Sequence, residues 1–229
     1  MPTRRYFTSS TFAFLRDLAV NNDRDWFKAN QDRYETHVRQ PALAFIEDFA
    51  EPLRSISPHF SADPRKVGGS LFRIQRDTRF SKDKTPYKEN TGMQFRHVAG
   101  ADAHAPGFYL HLQPGENFAG IGIWHPDAAT ANQIRRAIAD DPGGWTEATR
   151  NPAFAGIWTL QGDTLMRPPK GFDATHPLID DLKRKDFIAG TRLTQKQVTS
   201  ETLPEDYAAM CRSAAPFMKF LCRAVGVGF

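Results

Sequence analysis

Apolar residues change their period twice along this 229-residue chain. In the first third they recur at three- and four-residue steps, the period of a helix face. Phe12, Phe14, Leu15 and Leu18 predict a short helix, which Ser9, Ser10 or Thr11 can cap and which ends near Asn21-Asn22. Asp23 or Asn22 then caps a longer helix, with Phe27, Tyr34, Val38, Ala42, Phe45, Phe49, Leu53 and Ile56 on one face. Pro41 predicts a kink or two abutting helices within it, because proline removes a helical N–H and crowds the preceding turn. Ser57-Pro58 ends the run.

In the middle third the period drops to two, which predicts strands at 71–76, 93–97, 108–113 and 118–124, separated by Gly, Pro, Asn and Asp. Alternation assigns their faces. Phe72, Ile74, Met93, Phe95, Phe108, Leu110, Leu112, Ile121 and Ile123 line one side if the strands share a sheet. Arg73, Gln75, Asp77, Tyr109, His111, Gln113, Gly120, Gly122 and Trp124 share the other. The last third mixes elements. Asp127 caps a helix that stops at Asp141-Pro142-Gly143-Gly144, 158–166 reads as a hairpin turning at Gln161-Gly162-Asp163, 177–185 as a short helix and 187–193 as a strand. A closing helix opens on the capping box Thr202-Leu203-Pro204-Glu205 and buries Tyr207, Ala214 and Leu221. With no internal repeat and no Ser/Gly-rich linker, the expectation is one α+β domain over 7–226. It has a mostly antiparallel central sheet flanked by helices, a helical N-terminal third and a C-terminal helix.

Composition supports a packed core: 40% of the residues are hydrophobic and eighteen are Phe. No apolar run approaches the ~20 residues that span a bilayer, and the first residues lack a signal core, so a soluble, cytoplasmic protein with no membrane partner is expected. Cys211 and Cys222, placed on one helix at ~1.5 Å per residue, stand ~16 Å apart, beyond disulfide reach. They read as buried structural thiols.

Charge changes the picture more. Residues 65–96 hold nine Lys/Arg against three acids, a local excess of six, in a chain whose net charge is +4. Arg73, Arg76 and Arg79 supply planar donors suited to phosphate or carboxylate oxygens, and Lys84 and Lys88 follow. Thr85 is placed to cap a helical turn at Pro86 whose free N–H groups favour anions. Asp77 would orient the arginines. The competing reading is a structural network in which Asp77 and Asp83 pair those same cations. A third element is the Tyr109/His111 pair, projecting towards a strand whose Gly120 and Gly122 leave room for a ligand or for another backbone, with Trp124 beyond. His111 is a candidate acid or base and Tyr109 a hydrogen-bond donor; both are equally compatible with packing under a helix. Lys170, in the Pro168-Pro169-Lys170-Gly171-Phe172 loop, adds a cation if that loop lies over a site.

Other chemistries lack their motifs. The histidines show no HxH, HExxH or CxxC spacing, so no metal site is expected, although Asp102 or His104 could approach His111 and His125. Phosphate-loop, dinucleotide and nucleophile-elbow motifs are missing, and no cofactor is implied.

Asn22-Asp23-Arg24-Asp25-Trp26-Phe27, the run from Arg76-Asp77-Thr78-Arg79-Phe80 to Thr85-Pro86-Tyr87-Lys88, Gly107-Phe108-Tyr109-Leu110-His111-Leu112, and the Pro168–His176 loop ending at Pro177 together resemble a family of conserved hypothetical proteins. It is known as domain of unknown function 2461. The resemblance runs from about Phe7 to about Gly226, with Lys170 where the family's loop suggests Arg. It implies one intact domain and groups the basic stretch with the Tyr109/His111 strand as one signature. It implies no reaction.

The leading expectation is a pocket for a phosphate- or carboxylate-bearing small molecule, held by Arg73, Arg76, Asp77, Arg79, Lys84, Tyr87, Lys88, Trp124 and Lys170, with His111 and Tyr109 for proton transfer. The alternatives are nucleic-acid binding through the basic segment, with Phe80 and Tyr87 as stacking platforms, and a protein-interaction module built on an ion-pair network.

Overall fold

Strict alternation in the middle third becomes an antiparallel sheet in the computed structural model, which describes residues 4–100 and 105–229. Strands β1 (Thr91–Arg96), β2 (Gly107–Leu112), β3 (Asn117–Ile123), β4 (Thr159–Gln161) and β5 (Phe187–Leu193) are ordered β1-β2-β3-β5-β4. Every neighbouring pair is antiparallel. The protein is α+β, with a helical N-terminal region and C-terminal helices packed on the sheet.

Thr8 caps α1 (Ser9–Val20) and forms a reciprocal box with Thr11, one residue ahead of the expected caps. Asp23 caps α2 (Arg24–Ala29). The long helix predicted after it is divided into α2, α3 (Gln31–Tyr34), a π-helical turn at Glu35–Arg39 and α4 (Gln40–Ile56). The junction near Pro41 is therefore real, and the backbone accommodates it with the wide turn just before the proline.

The helices α5 (Ala128–Asp140), α6 (Pro142–Arg150) and α7 (Pro152–Ala155) follow β3. Asp141-Pro142-Gly143-Gly144 ends α5 but also opens α6: Pro142 occupies the first turn, where its missing N–H costs nothing, and Asp141 caps Gly144. After β4 come α8 (Ile179–Leu182), then β5, α9 (Gln195–Val198), α10 (Leu203–Ser213) and α11 (Ala215–Ala224).

Five local expectations fail. The single closing helix is two, α10 and α11, which meet at Ala214 just before Pro216 opens the second. Residues 71–76 form no regular strand, only single bridges from Leu71 to Met93 and from Gln75 to Tyr87. Segment 158–166 is no hairpin, because β4 pairs with the distant β5 and Thr164 bridges Arg184. The Thr202 hydroxyl turns to Asp206 instead of capping α10. No helical turn begins at Pro86, where Arg76 N–H donates to the Pro86 carbonyl and holds the chain extended.

One sheet face carries the core. Met93, Phe95, Phe108, Leu110, Leu112, Ala119, Ile121 and Ile123 are buried there with Phe45, Phe49 and Leu53 of α4, Tyr207 and Cys211 of α10, and Phe217 and Leu221 of α11. Phe49 is central, its ring 5.6 Å from Phe45, 4.8 Å from Phe95 and 5.0 Å from Tyr207. A second cluster joins Phe14, Leu15, Leu18, Phe27, Tyr34 and Val38 to Ile74, so Ile74 leaves the sheet core to which alternation assigned it. Both cysteines are buried and free, on separate helices, and burial raises both thiols, that of Cys222 to about 12.

Phe49→Ala should lower stability by about 3–5 kcal/mol, as expected for a fully buried aromatic whose neighbours cannot collapse into the space. The urea midpoint checks this, with the slope of the transition unchanged. Gly122 has φ 112°, and a Cβ there would lie 2.1 Å from the Phe187 carbonyl oxygen. Gly122→Ala should therefore separate β3 from β5 and depress the same midpoint, despite adding only a methyl group.

Candidate functional site

The second face of the sheet holds a cleft of about 460 Å³, the size of a small-molecule site. It runs from Phe72, beside β1, across Tyr109 and His111 of β2 and Phe118 and Gly120 of β3, to Ile188 of β5 and Gln161 of β4, with Trp124 at the β3 end. Glycine makes the space. Gly120 stands opposite Tyr109 and Gly92 opposite His111 in the register. A Cβ on Gly92 would lie 2.4 Å from the Tyr109 hydroxyl, so that position must be bare for the tyrosine to lie across the sheet.

Tyr109 and His111, two residues apart on one strand, project on the same side. The Tyr109 hydroxyl meets His111 Nδ1 at 2.9 Å, and His111 Nε2 meets Gln113 Oε1 at 3.1 Å. An amide oxygen only accepts, so Nε2 donates to Gln113 and Nδ1 accepts from Tyr109. The His111 ring stacks on Phe118 at 4.5 Å, and Tyr109 packs against Phe72 and Phe118. Burial lowers the pKa of His111, offset in part by Gln113 and Glu116, and pushes the Tyr109 phenol up to about 12. The resting pair is thus neutral. Its Tyr109 oxygen offers a lone pair to the cleft, and a proton arriving on His111 Nδ1 would reverse that one bond, so that Tyr109 accepts from Nδ1–H and its own O–H turns to donate into the cleft.

The basic segment is largely engaged with itself. Arg76 pairs with Asp83 and also meets the Thr85 hydroxyl. Arg79 grips Asp77 at 2.6 Å, and Lys84 Nζ donates to the Thr78 carbonyl at 2.9 Å. The hydrogen bonds from Arg79 and Arg76 hold Asp77 and Asp83 down to about 2. Tyr87 turns away from the cleft and stacks on Phe27 at 4.1 Å, while Asn22 binds its backbone N–H and carbonyl. Lys88 is different. Its Nζ lies 5.3 Å from the centre of the Phe72 ring, donates to the Arg73 carbonyl, and has its pKa lowered by burial and by Arg73. It is half-buried beside a residue that lines the cleft.

Of the residues singled out in the sequence, the structure therefore gathers Tyr109, His111 and Trp124 in the cleft and sets Lys88 against Phe72, bonded to the backbone carbonyl of an exposed Arg73. It gathers Arg76, Asp77, Arg79 and Lys84 in the exposed loop, and Lys170 is exposed on a different one. Asp102 and His104 lie outside the described residues. Among the described residues no three His, Cys, Asp or Glu side chains cluster as a metal site would require. Phe72 and Gln161 escaped the sequence reading. Alternation over 71–76 assigns Phe72 to the core side, which holds only for a regular strand, and Gln161 reaches the cleft only through the long-range pairing of β4 with β5.

The family comparison covers the elements that build this cleft, from α1 through α11. A family model described as conserved hypothetical protein (DUF2461) matches residues 10–220. The chain belongs to that family. The DUF2461 match thus spans the Tyr109–His111 strand, the basic loop and all five strands of the sheet. No curated protein matches the chain. Among the described residues no helix is long and apolar enough to cross a membrane.

The buried His111 has a consequence for stability. Its folded pKa lies below the ordinary 6.5, so the unfolded chain takes up the proton first as pH falls. Stability attributable to His111 is complete above 6.5 and is lost as pH drops from there to the depressed folded value. His111→Gln should flatten that part of the curve of urea midpoint against pH. An unchanged slope would show that His111 is not buried as a neutral base.

Proposed function

We propose that the open sheet face binds a small, flat, mainly apolar molecule bearing a carboxylate or phosphate. The observation that carries this reading is the glycine-floored cleft, walled by Phe72, Tyr109, Phe118 and Trp124 and lined by the hydrogen-bonded Tyr109–His111 pair. Aromatic walls favour a planar ligand through stacking and burial, and the few polar groups among them set its orientation. Lys88 is the cation best situated for the anionic group, because it is half-buried at Phe72, where water screens a charge pair less than at an exposed loop. Arg76 and Arg79 contribute less to this reading, since binding an anion would first require them to leave Asp83 and Asp77. That same pairing lowers the free positive charge available for a nucleic-acid backbone. Proton transfer through Tyr109 and His111 is the chemistry the cleft offers a bound molecule.

Naphthoate, a fluorescent aromatic carboxylate, is a suitable probe. It should bind the native protein and fail to bind Gly120→Leu, because a Cβ on Gly120 meets nothing closer than 3.8 Å, so the position takes a side chain, and that side chain occupies the cleft it lines. Lys88→Met should weaken binding by roughly 10-fold or more, the worth of one charge-assisted hydrogen bond. Equal affinity of Gly120→Leu, with its thermal midpoint intact, would remove the cleft as the site.

A further inference from the structure

Strand β4 lies at the edge of the sheet, yet Gln161 at its end is fixed from both directions. Its backbone pairs with Ile188 of β5, and its carbonyl accepts from Arg184 at 3.3 Å. The turn that follows is clamped by Asp186, which is buried and accepts the Asp163 N–H at 3.3 Å and the His125 N–H at 2.8 Å. Those two bonds tie the turn to the end of β3. A Cβ on Gly162 would lie 2.6 Å from the Asp186 Cβ, so the turn closes tightly.

From that anchored backbone the side chain runs diagonally across β5, within the reach of a long residue. A Cβ on Gly190 would stand 2.6 Å from Gln161 Oε1, 2.9 Å from its Cδ and 3.0 Å from its Nε2. The whole amide therefore lies over Gly190, in space that any other residue would fill. Gly190 is the register partner of Gly120, the floor of the cleft, and Gln161 itself lines that cleft. Among the described residues no protein group hydrogen-bonds this amide, since Gln161 meets Arg184 through its backbone alone.

A primary amide presents a donor and an acceptor side by side. Its complement is the same pair reversed. A carboxylate only accepts, and would leave the Gln161 oxygen facing another lone pair. A ring amide, with its N–H next to its C=O, answers both groups at once. Neighbouring strands stand ~4.8 Å apart, so a ring lying over Gly120 brings its edge within hydrogen-bond range of an amide lying over Gly190. We propose that Gln161 is the specificity-determining residue of the cleft and selects flat heterocycles that carry a lactam edge. The inference rests on the cleft being a ligand site, and it narrows the ligand from flat aromatic molecules to that class. It is independent of where the ligand carries its anionic group.

Carbostyril, a fluorescent two-ring lactam, and its N-methyl derivative test this beside naphthoate by calorimetric titration. Carbostyril should bind the native protein ~3–10-fold more tightly than N-methylcarbostyril, the range of one net hydrogen bond. That advantage should vanish in Gln161→Leu. Gln161→Glu offers acceptors only, and should turn the preference towards the aminoquinoline whose amino group adjoins the ring nitrogen, because its protonated edge carries two donors. A merely structural glutamine would not produce that reversal. No binding of naphthoate or carbostyril to the native protein would overturn both the cleft reading and this inference. Binding of either compound, with no N–H-dependent advantage for carbostyril or with that advantage intact in Gln161→Leu, would overturn the inference alone, as would an unaltered preference in Gln161→Glu.

Discussion

The sheet of this protein buries its two faces against different things, and the rest of the molecule follows from that asymmetry. On one face, Phe49, Phe95 and Tyr207 lock α4 and α10 onto the strands, and α11 completes the layer. On the other, the positions directed outwards are glycines and a few aromatic and polar residues. Glycine contributes no side chain to fill the layer. A wall without side chains, rimmed by large rings, leaves a cleft rather than a second core.

Electrostatics divides the chemically capable residues along the same line. The loop cations are numerous but exposed, and Asp77, Asp83 and backbone carbonyls occupy most of them. Exposed pairs of this kind contribute little and are screened by salt. Inside the cleft there are few polar groups, but they lie in less water. Burial keeps His111 neutral and Tyr109 protonated, so the pair stores no net charge while remaining able to pass a proton. The charge-dense segment is therefore the more conspicuous feature in the sequence, whereas the cleft is the better-built one.

Much of the architecture was legible in the sequence because local physics determines it. Alternation at Met93, Phe95, Phe108 and Leu110 can be satisfied only by a half-buried strand, and β5 coincides with its expected limits. The Tyr109/His111 face and its facing glycines were read correctly for the same reason. The misreadings fall where distant partners decide. The 71–76 run alternates like a strand, yet Ile74 is drawn into the cluster of α1 to α3, which leaves Phe72 free to wall the cleft. β4 looks like half of a hairpin until β5 claims it. His125 and Asp186 are 61 residues apart, and no spacing rule connects them. Whether basic residues form a site or an ion-pair network was equally closed to the sequence, since it turns on which acid each cation meets.

The most direct test of the account is crystallographic soaking with a set of small aromatic carboxylates. Ligand density is expected over Gly120, between Phe72 and Trp124, with the carboxylate directed towards Lys88. Ligands found only at the exposed Arg76–Asp83 loop, with solvent alone over Gly120, would contradict it.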